Sequence, residues 1–455
     1  MQTNPIFGRL RAGQKKSLMT IMLALAASAA YAEDEASWTP PGFPSGVDWT
    51  FNFDASVGAF GFGNSLYTNP RPGEPSGDLT ANWTEGVAKP TIGGEYTMDS
   101  SAQIYGKFSV VGERTYGSAP DLVGGDAGSF KEEDAYLGWR SGNTIGGGEN
   151  VLDLTLGRAQ YQLGHGMLLY DGSSEGGSNG GYWTNARKAF EFAAIGRFKP
   201  GNNTFEAFYL DKDELPESDS NTEIAGFNYE YAIGEDTTLG ATYMTLSADP
   251  DDAPDRDGMD VYNFRAFTAP FASLKALSFE AEYAKEDNGD ILDSSAWNAL
   301  VAYQFDSSWE PKLSYRYAYF EGDDPETAIN EGFDSMLTGA YDWGSWWQGE
   351  IGGGFFLSNS NLISHQIRIH TSPSESISTG LIYYNFLTDV PVAVGPNSTS
   401  DKVANEIDWY TDWSINDNFT LSVVLAVADP NEIVEKTADR DDLMTFGIVY
   451  LAYSF

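Results

Sequence analysis

Trp49-Thr50-Phe51-Asn52-Phe53-Asp54-Ala55-Ser56-Val57 alternates apolar and polar residues without a break. Successive strand residues point to opposite faces, so such a segment presents one apolar and one polar face. The pattern recurs down the chain. Leu277, Phe279, Ala281 and Tyr283 alternate with Ser278, Glu280 and Glu282, and Leu313, Tyr315, Tyr317 and Tyr319 with Ser314 and Arg316. Ile407, Trp409 and Trp413 alternate with Glu406, Asp408 and Asp412, and Val449, Leu451, Tyr453 and Phe455 carry the alternation to the last residue.

A soluble β-sandwich alternates too, so the connections decide. Tight turns fall at Asp99–Ser101, Lys199–Asn202, Gly234–Asp236, Asp306–Ser308, Ser372–Glu375 and Asn416–Asn418. Longer polar, acidic or glycine-rich segments lie between them. Short turns alternating with long loops mark an outer-membrane barrel, with turns in the periplasm and loops outside. The expected fold is all-β, a transmembrane antiparallel β-barrel of eighteen strands. They are placed near 49–62, 90–98, 102–114, 130–141, 150–163, 186–198, 203–213, 222–233, 236–247, 258–268, 275–286, 295–305, 309–320, 361–371, 376–388, 403–415, 418–428 and 441–455. An even count leaves both termini in the periplasm. The glycine-rich stretch Trp346–Phe356 is assigned to a loop, because an extra strand would make the count odd.

The N-terminus sets the destination. Arg9, Arg11, Lys15 and Lys16 precede an apolar run from Leu18 to Ala30, and Ala30-Tyr31-Ala32 offers a cleavage site. This organisation reads as a secretory signal peptide at 1–32, a periplasmic leader at 33–48 and the barrel at 49–455. The expected location is the outer membrane of a Gram-negative bacterium. Without residues 1–32 the chain keeps 22 Lys and Arg against 66 Asp and Glu, a net charge of −44. So acidic a chain has no electrostatic footprint for nucleic acid. With no cysteine, disulfides, thiol catalysis and thiolate metal sites are excluded.

Charge near the bilayer midplane costs about 2–4 kcal/mol on the lipid face, so mid-strand cations should line the lumen. The phases place Lys107, Arg140, Arg187, Arg197, Arg265, Arg316 and Arg368 there, with Glu191 among the acids on the same face. Arg158 depends on whether Gly157 bulges its strand and resets the phase. These residues are the candidate pore lining, either a charged constriction that sorts solutes or salt-bridged wall filling. Should Arg158, Arg187, Arg316 and Arg368 converge at one level, the pore would prefer anions at physiological salt. Outside the strands, residues 211–223, 249–260, 285–293, 321–334 and 429–442 carry −5, −5, −3, −6 and −4, or −23 in all. They read as a solvated acidic exterior, with lipopolysaccharide as an expected neighbour. Asp255-x-Asp257-Gly258-x-Asp260 loosely suits calcium but lacks a complete binding loop.

Several longer stretches resemble the alginate export family of outer-membrane proteins. They are GRAQYQLGHGMLLYDG from Gly157, GGYWTNARKAFEF at Gly180–Phe192, DDPETAINEGFD at Asp323–Asp334, WWQGEI at Trp346–Ile351, NSNL at Asn359–Leu362 and EIDWYTDW at Glu406–Trp413. The resemblance implies an eighteen-stranded barrel that passes a solute, in the founding member an anionic polysaccharide, through a lumen lined by arginine and lysine. Arg158 and Arg187 lie inside the matching motifs. The tight turn at Asn416–Asn418 and the mixed signs of the lumen depart from the family's long gating loop and electropositive lumen. The terminal Phe455 looks like the signal read by the barrel-assembly machinery.

No catalytic constellation emerges. An outer-membrane phospholipase needs a Ser/His pair two residues apart on the lipid face, and His365 is flanked at that spacing by Ile363 and Ile367. Three scattered histidines do not form a zinc enzyme. Asp171–Trp183 lacks the Gly-Lys-Ser/Thr of a phosphate loop and is expected over the lumen instead. Glu321–Ser360, with Asp342-Trp343-Gly344-Ser345-Trp346-Trp347, is expected to fold inward, because an exposed loop has no use for that aromatic mass. No cofactor is expected. The chain reads as a porin-like channel for a polar or anionic solute or a polysaccharide such as alginate. The alternative is a structural or binding barrel plugged by Gly164–Ala186 and Glu321–Ser360.

Overall fold

Alternation fixes which side of each strand is wet, and hydrogen bonding between neighbours then closes the wall. In the computed structural model the described residues are 44, 46–65, 80–119, 127–174, 176–216, 218–271, 274, 276–340, 342–346, 348–438 and 441–455. The signal segment and nearly all of the leader lie outside them. The strands are β1 Asp48–Gly63, β2 Ala81–Thr97, β3 Gln103–Ser118, β4 Ala127–Arg140, β5 Leu152–Arg158, β6 Phe192–Phe198, β7 Asn203–Asp211, β8 Glu223–Ile233, β9 Thr237–Ser247, β10 Asp260–Thr268, β11 Leu277–Asp287, β12 Asp293–Gln304, β13 Lys312–Phe320, β14 Leu362–Ser374, β15 Ile377–Gly395, β16 Ser398–Ser414, β17 Phe419–Pro430 and β18 Met444–Ser454. Each pairs antiparallel with its sequence neighbours, and β1 pairs with both β2 and β18, which closes the barrel. Closure leaves no open edge, so every strand satisfies its backbone groups within the wall.

All six tight turns read from the sequence join strands at the end where β1 begins and β18 ends. The described residues of the five acidic segments lie at the opposite end. The outer face is apolar: Leu137, Leu156, Phe264, Ile367, Ile407 and Leu425 all stand exposed. On β16, Ile407 is 49% exposed, whereas its neighbours Glu406 and Asp408 are 0% and 3% exposed. Exposed apolar side chains alternating with buried acids are what lipid on one side and a packed interior on the other require.

Five boundaries differ most from the sequence expectation. β2 starts nine residues earlier, at Ala81 rather than 90, because Pro90 is tolerated where the ladder to β3 skips from Ala88 to Thr91. β15 and β16 run on to Gly395 and from Ser398, so the expected loop is a long hairpin, with the short helix Glu432–Ala438 packed on it. β5 stops at Arg158 and β6 begins only at Phe192. Gly157, at φ +124°, is the cause: a side chain there would strike the backbone of Ala135 and Tyr136, and its left-handed conformation turns the chain out of the wall. Trp346–Phe356 is no strand, and Gly349–Phe356 within it forms a π-helical stretch inside the barrel.

Candidate functional site

Two loops fold into the lumen: residues 159–191 after β5 and 321–361 after β13. Their apolar side chains give them a reason to enter. Tyr161, Leu163, Met167, Leu168 and Phe190 of the first loop are buried with Phe208, Leu210, Met244 and Val261 on the inner face of β7–β10. Trp346 and Ile351 of the second join the same continuous core, as do Phe62, Trp83, Phe386 and Phe446 of the wall. Strands β1, β2, β15 and β18 are therefore apolar on both faces over part of their length. Each large side chain buried this way contributes about 1.5–3 kcal/mol.

The loops are zipped to each other. Leu169 and Leu337 form a parallel bridge, Tyr170 N donates to Leu337 O at 2.9 Å, and Leu337 N donates to Leu168 O at 3.0 Å. Gly339 N reaches Gly166 O at 3.1 Å, and Trp346 Nε1 donates to His165 O at 2.7 Å.

Carboxylates on the wall anchor them. Glu85 accepts from Trp183 N, Thr184 N and Thr184 Oγ1 at 2.9 Å each, and from Trp83 Nε1 at 2.8 Å. Glu133 accepts from Lys188 N at 2.9 Å and Ala189 N at 3.2 Å. A bulge opposite Ser109 lets the adjacent acids Glu133 and Asp134 both turn inward. Glu406 receives Ile351 N and Gly352 N, each at 2.7 Å, and Asp408 receives Glu350 N at 3.1 Å. Gly349, at φ +84°, allows this approach, since a Cβ there would sit 2.7 Å from the Glu406 carboxylate. The sequence reading placed Glu406 and Asp408 on the polar face but overlooked Glu85 and Glu133. The adjacent acids Glu133-Asp134, which break the alternation, were the signal for a bulge.

The candidate pore cations are all engaged by carboxylates, and they fall into separate groups. Arg158 and Arg187 both bind Asp213, which also accepts from Ser173 Oγ at 3.3 Å. Arg187 belongs to the first infolded loop rather than to a strand. Lys107 Nζ lies 3.1 Å from Asp134, and Arg197 Nε 2.6 Å from Glu206. Arg140 spans Glu95 and Asp153, at 3.3 Å each, and covers the Tyr105 ring at 4.1 Å. Arg265 pairs with Glu230 at 3.1 Å. Arg316 stands over Trp346, 4.7 Å from the ring centre, with Glu280 at 3.9 Å. Arg368 grips Asp342 at 2.6 Å and Tyr410 Oη at 2.5 Å. Glu191 is exposed just before β6 and borders none of the three cavities described next.

Open space remains between these anchors. A cavity of about 720 Å³ lies between the two loops and the wall at β15–β17, bordered by Asp171, Trp183, Glu350, Tyr384 and Asp412. A second, of about 270 Å³, is edged by Lys312, Arg316, Arg368 and His370, and a third, of about 260 Å³, by Lys107, Arg140 and Arg197. Asp342, Trp343 and Gly344 border both the first and the second, so this segment forms a bar between them. The bar is fixed by Arg368 on Asp342, by Trp343 Nε1 donating to Asp412 at 2.8 Å, and by Arg316 Nη1 donating to Gly344 O at 3.1 Å. In the large cavity, burial pushes the Asp171 carboxyl up to about 6 against the pull of Lys188. Burial, then the neighbouring Asp408, pushes Glu350 up to about 8. Among the described residues, no group of three or more acidic or histidine side chains is placed to hold a metal.

No protein-family model matches the chain, and no curated protein matches it in sequence. Solved structures do. OccK7 (OpdD) of Pseudomonas aeruginosa aligns over 90% of this chain and 99% of its own, with TM-score 0.56 and 11% identity. OccAB4 of Acinetobacter baumannii aligns over 89% and 98%, with TM-score 0.57 and 10% identity. A BenF-like porin from Pseudomonas fluorescens Pf-5 aligns over 91% and 100%, with TM-score 0.57 and 12% identity. At such identities the likeness is one of fold, and the fold is the closed eighteen-stranded barrel of outer-membrane porins.

Proposed function

We propose that this chain is a porin-like channel of the Gram-negative outer membrane, passing small polar solutes between two infolded loops. The observation that carries the reading is a lumen that is narrowed rather than filled. An eighteen-stranded barrel is wide enough for an aqueous channel, and the loops leave cavities of about 720, 270 and 260 Å³ along it. Lipopolysaccharide against the outer wall and barrel-assembly machinery at the exposed Phe455 are the partners this placement implies. Alginate export, the narrower reading of the sequence resemblance, fits less well, because loops zipped together across the lumen obstruct a polymer. The anion preference expected of converging arginines has less support, because Arg158 and Arg187 share Asp213 while Arg316 and Arg368 edge a separate cavity and Arg368 is held by Asp342. The plugged-barrel alternative is favoured by one observation, the apolar core inside the lumen.

Ion selectivity tests the channel. The lumen cations are matched by carboxylates, so the acids of the outer loops that remain unpaired, Asp213 and Asp334 excepted, dominate the field. Salt at 0.15 M screens exposed charge beyond about 8 Å, whereas at 0.01 M the range is about 30 Å. Reversal potentials across planar bilayers in potassium chloride gradients should therefore show cation preference, stronger at low salt. Anion preference at low salt would contradict this, and the absence of current would favour the plug.

A further inference from the structure

The large cavity between the loops is rich in acceptors and poor in donors. Among the described residues, no donor reaches the buried Asp171 Oδ1, Asn185 Oδ1 or Asp408 Oδ1, and all three residues border this cavity. Beside the Glu350 N–H on its other oxygen, the Asp408 carboxyl faces the Glu406 carboxyl, itself an acid. Asp412 already takes Trp343 Nε1 at 2.8 Å and Ser422 Oγ at 2.5 Å. Of the two lysines on the cavity wall, Lys188 lies over the Tyr170 ring at 4.2 Å while still pulling on Asp171, and Lys212 pairs with Glu214 at 3.2 Å. Trp183, Tyr182 and Tyr384 add aromatic surface, which attracts a cation on its face. Buried acceptors left without donors cost free energy, and a ligand bringing N–H groups and positive charge relieves that cost.

We propose that this cavity is the selective binding site for organic cations, solutes bearing an ammonium or guanidinium group without a compensating carboxylate. This rests on the channel reading above and names its substrate class. The guanidinium or ammonium hydrogens donate to Asp171 and Asn185, and the aromatic wall takes the body of the solute. The acidic outer loops raise the local concentration of such solutes before they enter.

The test records single-channel currents of the purified protein in planar bilayers while argininamide, sorbitol or glucuronate is added on the side of the long loops. Argininamide should interrupt the current in a concentration-dependent way, and sorbitol and glucuronate should not. Asp171→Asn should shorten the interruptions about tenfold, the effect of losing one charge-assisted hydrogen bond in a shielded site. Should that variant fail to assemble, Asn185→Ala, which removes the other acceptor of the solute, should shorten them in the same sense. Sorbitol or glucuronate interrupting as long as argininamide overturns the proposal, as do interruptions that neither variant shortens. A conducting pore that ignores argininamide overturns it and leaves the channel standing. No current with any solute removes the channel reading and the proposal with it.

Discussion

Replacing Glu85 by Ala is expected to release the first infolded loop from the wall while the barrel stays assembled. Glu85 is 1% exposed and accepts from two loop backbone N–H groups, one loop hydroxyl and the Trp83 indole. Truncation strands one buried and three half-buried donors, a loss of about 3 kcal/mol concentrated on one segment. The eighteen-strand ladder does not pass through that carboxylate, so heat-modifiable migration in detergent should persist. Protease added to the side of the long loops should then cut within 159–191, where the parent resists. Glu85→Gln keeps one acceptor oxygen and should fall between the two. Equal resistance in all three would show that the apolar core alone holds the loop.

The second large effect is expected at the bar between the cavities. Trp343 borders both the 720 Å³ and the 270 Å³ spaces, and its ring stacks on Tyr410 with centroids 5.3 Å apart. Asp342 and Gly344 on either side are held by Arg368, Arg316 and Gln366, so the backbone stays in place when the indole is removed. Trp343→Ala should therefore join the two cavities and raise single-channel conductance severalfold without changing assembly. Unchanged conductance would place the narrowest point elsewhere along the lumen.

The wall was legible because lipid imposes a rule that each residue obeys locally. Ile407, Glu406 and Asp408 declare their faces from the sequence, and so do the tight turns at one end. The filling of the lumen was less legible, because it depends on contacts between distant segments. Phe60 and Phe446 look like lipid-facing residues by type, yet they are buried inward, stacked on or edge to Trp83 and Phe62. The aromatic run at 342–346 did announce an inward loop. Arg187 was misassigned to a strand because Phe190 and Phe192 alternate with it, although the chain has already left the wall at Gly157. Arg158 and Arg187, distant in sequence, meet on Asp213, and no spacing rule connects those three positions.

The central claim is that two zipped loops narrow this barrel to a passage for small polar solutes. Liposome swelling with the purified protein and a graded series of sugars tests it most directly. Monosaccharides should enter rapidly, with rates falling steeply through di- and trisaccharides and no entry of dextran. Equal exclusion of every sugar, in vesicles shown to contain assembled barrels, would contradict the account and leave a plugged wall. Free entry of dextran would contradict it from the other side, because loops zipped across the lumen could not admit a polymer.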